Sequence, residues 1–197
     1  KQRAANNEPV PSEVLALIEP NTTQAIEAKR FVQMNTNKPV TGNAKFKARL
    51  VQVESEPEHL IRQWAEEEGF VLDFLSPGRP SDANVSPNGI YSVAQLLNTY
   101  QNCPNCLKPS LYLLRMVWGR GNSHRVPVTI RSGQVIKGIA LFLQTLGAHH
   151  VDSHAMRLIN MNVDLAMIWS EIKRREGYGF DRPKTLAQRL ISFVTGR

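Results

Sequence analysis

Residues 132–147, SGQVIKGIALFLQTLG, form the broadly hydrophobic stretch that decides the predicted fold. Ser132 is a preferred residue type at a helix N-cap, and Gly147 is a preferred type just after a helix end. Between them, apolar side chains cover more of the helix circumference than the single stripe that is typical of a half-exposed helix. The stretch therefore predicts the central helix of a bundle.

Apolar residues at helical spacing predict further helices on both sides of this stretch, at residues 24–35, 42–53, 55–69, 90–100, 111–118, 154–159, 165–175 and 186–194. Three of these helices begin at capping signals, which are Asn21 with Gln24, Thr41, and Ser55 with Glu58. The predicted fold class is therefore mainly α, with the helices arranged as a bundle.

Little of the chain is predicted to be extended. The apolar block at residues 14–18 predicts a short buried strand, and residues 70–74 predict a brief extended piece. Residues 76–89, SPGRPSDANVSPNG, are rich in proline, glycine, serine and asparagine, which predicts a mobile loop or linker.

The composition bounds the classes of protein that the chain can belong to. Its 197 residues are enough for a hydrophobic core that needs neither disulfides nor metal. No apolar run approaches the roughly 18 residues that a membrane span requires. Two cysteines, a net charge of +7 and the absence of a signal-peptide pattern predict a reducing, cytoplasmic setting and a polyanionic partner.

Acidic residues are unevenly distributed along the chain. Residues 28–53 and 83–151 contain no aspartate or glutamate, although lysine and arginine recur in both windows, whereas acids are concentrated in residues 54–68. Such segregation predicts a basic face that attracts phosphates. The alternative is that neutral polar residues replace acids on an ordinary surface.

Four cations near the first of these windows are the predicted phosphate contacts. Lys38 lies in a loop, Lys45 and Arg49 are four positions apart and share a helix face, and Lys47 lies between them. We expect these four side chains to contact the phosphate backbone of DNA without reading its sequence. An ordinary solvated helix face is the alternative.

Residues 103–106, CPNC, contain two thiols at a spacing that suits a shared metal ion or a redox pair. A structural zinc site needs four ligands, and no second pair of this kind occurs in the sequence. The interpretation that we favour is a plain turn between two helices, and no metal site is predicted.

Lys173, Arg174 and Arg175 end the helix that is predicted at residues 165–175. Positive charge in the last turn of a helix complements its dipole by a few tenths to about 1 kcal/mol. This effect explains the three cations without a ligand.

Two blocks of the sequence resemble a known group of proteins. Residues 1–50 resemble the closing portion of a ParB/sulfiredoxin-like domain, in which a D-G-x-x-R type turn precedes a helix, a strand and a second helix. The second block resembles the helical extension of an uncharacterised family of ParB-like proteins in phages, plasmids and actinobacteria. It runs from GIYSVAQLLNTYQ through LLRMVWG to VIKGIALFL. The residues that match the first pattern are Lys1, Gln2, Arg3, Phe31, Asn35, Lys38, Pro39, Phe46, Lys47 and Ala48.

This resemblance implies two domains. Residues 1–40 would be the truncated end of an α+β ParB/sulfiredoxin-like domain, and residues 41–197 would be a helical domain. Because the chain starts with Lys1 in the middle of the turn motif, we expect it to be a fragment of a longer protein.

The resemblance also implies a function. The family handles phosphate on the turn that contains the arginine, so Arg3 and Gln2 would contact phosphate or a nucleotide. No cofactor is expected, and a nucleotide is the alternative. The expected function is that of a DNA-binding, ParB-like protein that could form homo-oligomers. Alternatives are a nuclease or nucleotide hydrolase, whose active turn includes Arg3 and begins upstream, and a helical protein-interaction module.

Overall fold

The computed structural model describes residues 22–34, 41–52, 56–74, 85–119, 125–175 and 181–196, and these residues are mainly helical. Within them lie nine α-helices, which are α1 (Gln24–Met34), α2 (Gly42–Arg49), α3 (Glu56–Glu67), α4 (Ala94–Asn102), α5 (Pro104–Trp118), α6 (Gly133–Leu146), α7 (Val151–Asn160), α8 (Leu165–Arg175) and α9 (Arg182–Thr195). Two strands, β1 (Val71–Leu72) and β2 (Gly89–Ile90), and 3-10 turns at Val128–Ile130 and Ala148–His150 complete these elements.

Helix α6 is the central helix, as its sequence predicts. The Oγ atom of Ser132 accepts a hydrogen bond from the Val135 amide, and Gly147 ends the helix with a φ angle of 96°. Helix α6 packs extensively against α5 and α9 and also contacts α4. Its fully buried side chains include Ile136, Ile139 and Phe142, which lie in the single large core of the described residues.

The predicted extended piece at residues 70–74 contains β1, which pairs in parallel with β2. The partner strand lies at the end of residues 76–89, which the sequence predicts to be a mobile loop or linker. Val85 is buried, and the Ser86 amide donates a 2.8 Å hydrogen bond to Oδ2 of Asp73. Residues 85–89 are therefore held against the core, whereas residues 75–84 lie outside the described part of the chain.

The observed starts of the helices agree better with the positions of capping side chains than with the bounds predicted from apolar spacing. Thr41 caps α2 as predicted, and the Oγ1 atom of Thr23 accepts from the Ile26 amide at the start of α1. Helix α4 begins at Ala94 rather than near residue 90, because Gly89–Ile90 is a strand. Helix α9 begins earlier than predicted, because the Asp181 side chain accepts from the Lys184 amide.

Three sequence predictions about elements fall on residues that the structure does not describe. These are the strand at residues 14–18, the Asn21 half of the first capping pair and the Ser55 half of the capping box. The division into domains at residue 40 also stays a prediction. Among the described helices, none combines the length and the apolar composition of a membrane span.

His154 on α7 makes the stability of the fold dependent on pH. The side chain is buried, and its ring lies edge-on against Phe142 with centroids 5.4 Å apart. Burial lowers the pKa of His154, and the neighbouring His150 and Arg157 reinforce this effect. Neither ring nitrogen has a hydrogen-bond partner among the described residues. The folded state therefore favours the neutral imidazole.

Acidification is therefore expected to destabilise the protein. As the pH falls below about 6.5, the unfolded chain takes up a proton on this imidazole more readily than the folded chain does. The contribution of His154 to stability is present above this pH and is lost progressively towards its lowered folded-state pKa. Urea unfolding at several pH values should show that acidification lowers the free energy of unfolding less for His154→Gln than for the wild type. An exposed control, His149→Gln, should leave the loss unchanged, and equal pH profiles for His154→Gln and the wild type would refute this role.

Candidate functional site

The structure describes three of the cations that the sequence predicts as phosphate contacts. Lys45, Lys47 and Arg49 all lie on α2. Lys38, Arg3 and Gln2 lie outside the described residues, so their predicted contacts with DNA or a nucleotide stay predictions.

Arg49 is engaged in a structural ion pair. Its Nη1 atom donates a 3.2 Å hydrogen bond to Oε1 of Glu58, whose side chain is only 3% exposed. Removing the guanidinium would leave a buried carboxylate without this partner, which is unfavourable. Arg49 therefore neutralises Glu58, and a phosphate would have to compete with that carboxylate for it.

Lys45 and Lys47 have no acidic partner among the residues that the structure describes, but they do not share a face. Lys47 is exposed and lines a shallow groove between α1 and α2 together with Gln24 and Glu27. Residues two positions apart on a helix point about 200° away from each other. The cations of α2 therefore do not form the single basic face that the sequence predicts for them.

Asn43, which lies between the predicted phosphate contacts Lys38 and Lys45 in the sequence, has a structural role that the sequence does not reveal. Asn43 is buried, and its Oδ1 atom accepts a 3.1 Å hydrogen bond from the Ala94 amide at the start of α4. This bond satisfies one of the amides that are left free at a helix N-terminus. Asn43 therefore joins α2 to α4.

Two cations of the second acid-free window pair with acids from elsewhere in the chain. Lys108 and Arg115 on α5 pair with Glu67 and Glu68, at 2.6 and 2.9 Å. The hydrogen bond between Lys108 and Glu67 raises the pKa of Lys108 and lowers the pKa of Glu67. A window without acids in sequence is therefore not a surface without acids in space, and Lys108 and Arg115 do not contribute unpaired charge to a basic face.

A second group of cations lies in the last turn of α8 and along α9. We call Lys173, Arg174, Arg182 and Arg189 the α8–α9 basic surface. The pKa of Lys173 is lowered, first by burial and then by the positive charge of Arg182. Lys173 also lies over Trp169, with Nζ 6.0 Å from the ring centroid. Two helices thus bring cations close enough together to repel each other.

Exposed arginines extend this surface. Arg174 and Arg189 are exposed, and neither has an acidic partner within the described ranges, whereas neighbouring Arg175 pairs with Glu171 at 3.4 Å. Arg182 and Arg189 are seven positions apart, which is about two turns, so they project from the same side of α9. The sequence places Lys173 and Arg174 correctly in a last helical turn but does not show that α9 adds to their charge.

Cys103 lies between α4 and α5, whereas Cys106 lies in the first turn of α5, so residues 103–106 are not the plain turn between helices that the sequence predicts. Their Sγ atoms are joined in a disulfide between Cys103 and Cys106. No group of three or more histidine, cysteine or acidic side chains that could hold a metal ion occurs in the part of the chain that the structure describes.

Comparison with known proteins gives no relative from which a role could be transferred. The chain matches none of the protein-family models, curated proteins or solved structures with which it was compared. The geometry of the described residues is therefore the basis for assigning a function.

Proposed function

We propose that the protein binds DNA through its phosphate backbone, and that the α8–α9 basic surface supplies the main contacts. The observation that carries this proposal is that Lys173, Arg174 and Arg189 are exposed cations on two contacting helices, and that none of the three has an acidic partner among the described residues. Exposed charges of one sign raise the local concentration of anions. Arg174 and Arg189 extend the positive potential into solvent.

The spacing of the cations suits a polymer of phosphates. Seven positions along α9 correspond to about 10 Å, so Arg182 and Arg189 can contact different phosphates of one chain. Lys173, Arg174 and Arg189 are exposed and therefore accessible to such a chain. DNA, which the ParB-like resemblance suggests, is a chain of phosphates that can contact several of these cations at once.

The cations near the N-terminal end of the chain have a subsidiary part in this proposal. Lys45 and Lys47 remain available for weaker contacts, together with Lys38 and Arg3, whereas Arg49 stays with Glu58. The alternative of a nuclease or nucleotide hydrolase depends on Gln2 and Arg3, and the described residues give it no additional support.

Charge removal at two of the arginines tests the proposal. The variant Arg174→Gln/Arg189→Gln should bind a short fluorescent DNA duplex about 30-fold more weakly at physiological salt, because two phosphate contacts and their released counterions are lost. Fluorescence anisotropy measures this change. Both side chains are exposed, so circular dichroism should show the same helix content as in the wild type.

A matched control removes the same net charge elsewhere. Arg62→Gln/Lys108→Gln also eliminates two exposed cations, but both of them pair with acids of α3, Glu66 and Glu67. We expect this control to bind DNA with an affinity close to that of the wild type. If both double variants lose affinity equally, only net charge matters and the α8–α9 basic surface is not the binding site.

A further inference from the structure

The two cysteines of the disulfide differ in their exposure to solvent. Cys106 lies in the first turn of α5 and is 3% exposed, whereas Cys103 precedes that helix and is half-buried. Thiol–disulfide exchange proceeds by attack of a thiolate on an accessible sulfur. An incoming thiol can therefore attack Cys103, while Cys106 is protected.

A cavity lies directly beside Cys103. It has a volume of about 310 Å³ and is formed by the C-terminal end of α4, by α6 and by Asp181 at the start of α9. Small-molecule sites have volumes of about 300–1,000 Å³, so this cavity is large enough for a small thiol. Polar side chains, among them Thr99, Asn102, Lys137 and Gln144, contribute to its lining.

Two charged groups face this cavity. Lys137 on α6 is half-buried and has no acidic partner within the ranges that the structure describes. Asp181 contributes a carboxylate, which also accepts from the Lys184 amide as the N-cap of α9. Lys137 is therefore the group that can pair with an anionic ligand.

We propose that the Cys103–Cys106 pair is a thiol–disulfide exchange site, and that it reacts with a low-molecular-weight thiol that carries a carboxylate. Cys103 is the sulfur that exchanges with this thiol, and Lys137 binds its carboxylate. The N-terminal end of α5, whose first turn contains no acid, favours a thiolate at this position. This inference goes beyond DNA binding and does not depend on it.

The reaction is a two-electron exchange. The thiolate of the small thiol attacks Sγ of Cys103, a mixed disulfide forms, and the bond between the cysteines breaks with its electron pair on Sγ of Cys106, which takes up a proton. A second molecule of the small thiol then attacks the small-molecule sulfur of the mixed disulfide. The products are one oxidised small disulfide and two protein thiols, and the reverse sequence reoxidises the pair.

Single-cysteine variants of the full chain test which sulfur exchanges. Folded Cys106→Ser, incubated with oxidised glutathione, should form one glutathionyl adduct that intact mass spectrometry detects. Folded Cys103→Ser should form none, and it should react only after denaturation in guanidinium. Adducts at equal rates in both folded variants would overturn the proposal.

The wild-type chain gives a second measurement that does not depend on how the variants fold. After reduction and exchange into buffer without reductant, a limiting amount of iodoacetamide should alkylate Cys103 before Cys106, as peptide mass spectrometry would show. Preferential alkylation of Cys106, or equal alkylation of both, would contradict the assignment of Cys103.

The role of Lys137 requires a comparison of two oxidants. In the Cys106→Ser background, Lys137→Ala should slow the reaction with oxidised glutathione about two- to fivefold, as expected for loss of a partly exposed ion pair. The rate with uncharged 2-hydroxyethyl disulfide should not change. The matched control, Lys29→Ala on α1, should change neither rate. Equal slowing with both oxidants would show that Lys137 does not recognise the carboxylate.

Discussion

Phe142→Ala is expected to lower the free energy of unfolding by about 3–5 kcal/mol. Phe142 lies on the central helix α6, is fully buried, and packs against the ring of His154 on α7. The substitution removes a large apolar side chain and leaves a cavity that a helix fixed by α5 and α9 can fill only partly. Urea unfolding followed by circular dichroism at pH 7.5 measures the loss.

Two controls separate the cavity from other effects of the substitution. Phe142→Leu keeps most of the apolar volume and should cost less than Phe142→Ala. Phe193→Ala truncates the same side chain at a position on α9 that is only partly buried, and its cost should also be smaller. A loss below about 1 kcal/mol for Phe142→Ala, within the range of ordinary surface changes, would mean that α6 is not the centre of the core.

Gly133→Ala is expected to destabilise the protein by about 1–3 kcal/mol, although alanine has a higher helix propensity than glycine. Gly133 is the first residue of α6, and its amide donates a 2.9 Å hydrogen bond to the Tyr91 carbonyl. A Cβ atom at this position would overlap the carbonyl oxygen of Ser92 and lie 2.9 Å from Cβ of Gln95. The backbone would have to move, which separates α6 from the segment before α4.

Whether Gly133→Ala lowers or raises the free energy of unfolding is the informative result. Without the close approach, glycine to alanine in a helix would stabilise the protein by about 0.5–1 kcal/mol. Thermal and urea unfolding of Gly133→Ala, compared with Gln134→Ala at the neighbouring exposed position, measure the difference. Stabilisation of the Gly133→Ala variant would be incompatible with the packing that the structure shows.

The sequence predicts the helices well where the deciding interactions are local. Helix α6 lies between its predicted serine and glycine signals, and the predicted bounds of α8, residues 165–175, agree with Leu165–Arg175. Caps and apolar spacing involve residues only a few positions apart, so they can be recognised without knowledge of the tertiary structure.

The sheet and the ion pairs could not be predicted, because they depend on contacts between distant residues. Strands β1 and β2 have two residues each, and β2 lies in a stretch whose composition is typical of a loop. The acids of residues 54–68 are adjacent in sequence but pair with cations on two different helices, at Arg49 on α2 and at Lys108 and Arg115 on α5. Sequence segregation of charge therefore overstated the basic character of both acid-free windows.

The candidate site shows the same difference between sequence and space. On α2, the spacing of Lys45 and Arg49 predicts a shared basic face. The guanidinium of Arg49, however, is already paired with the carboxylate of Glu58. At residues 173–175, the dipole of α8 is by itself a sufficient explanation for the three cations. The proximity of Arg182 on the next helix adds a repulsion that the dipole does not explain.

The salt dependence of DNA binding tests the central claim most directly. We expect the logarithm of the association constant of the wild-type protein to fall linearly with the logarithm of salt concentration. Arg174→Gln/Arg189→Gln should reduce the steepness of that line by about 1.8, which is 0.9 for each lost phosphate contact, while Arg62→Gln/Lys108→Gln leaves it unchanged. A flat line for the wild type, or equal slopes for the wild type and Arg174→Gln/Arg189→Gln, would contradict the proposal that this surface binds the DNA backbone.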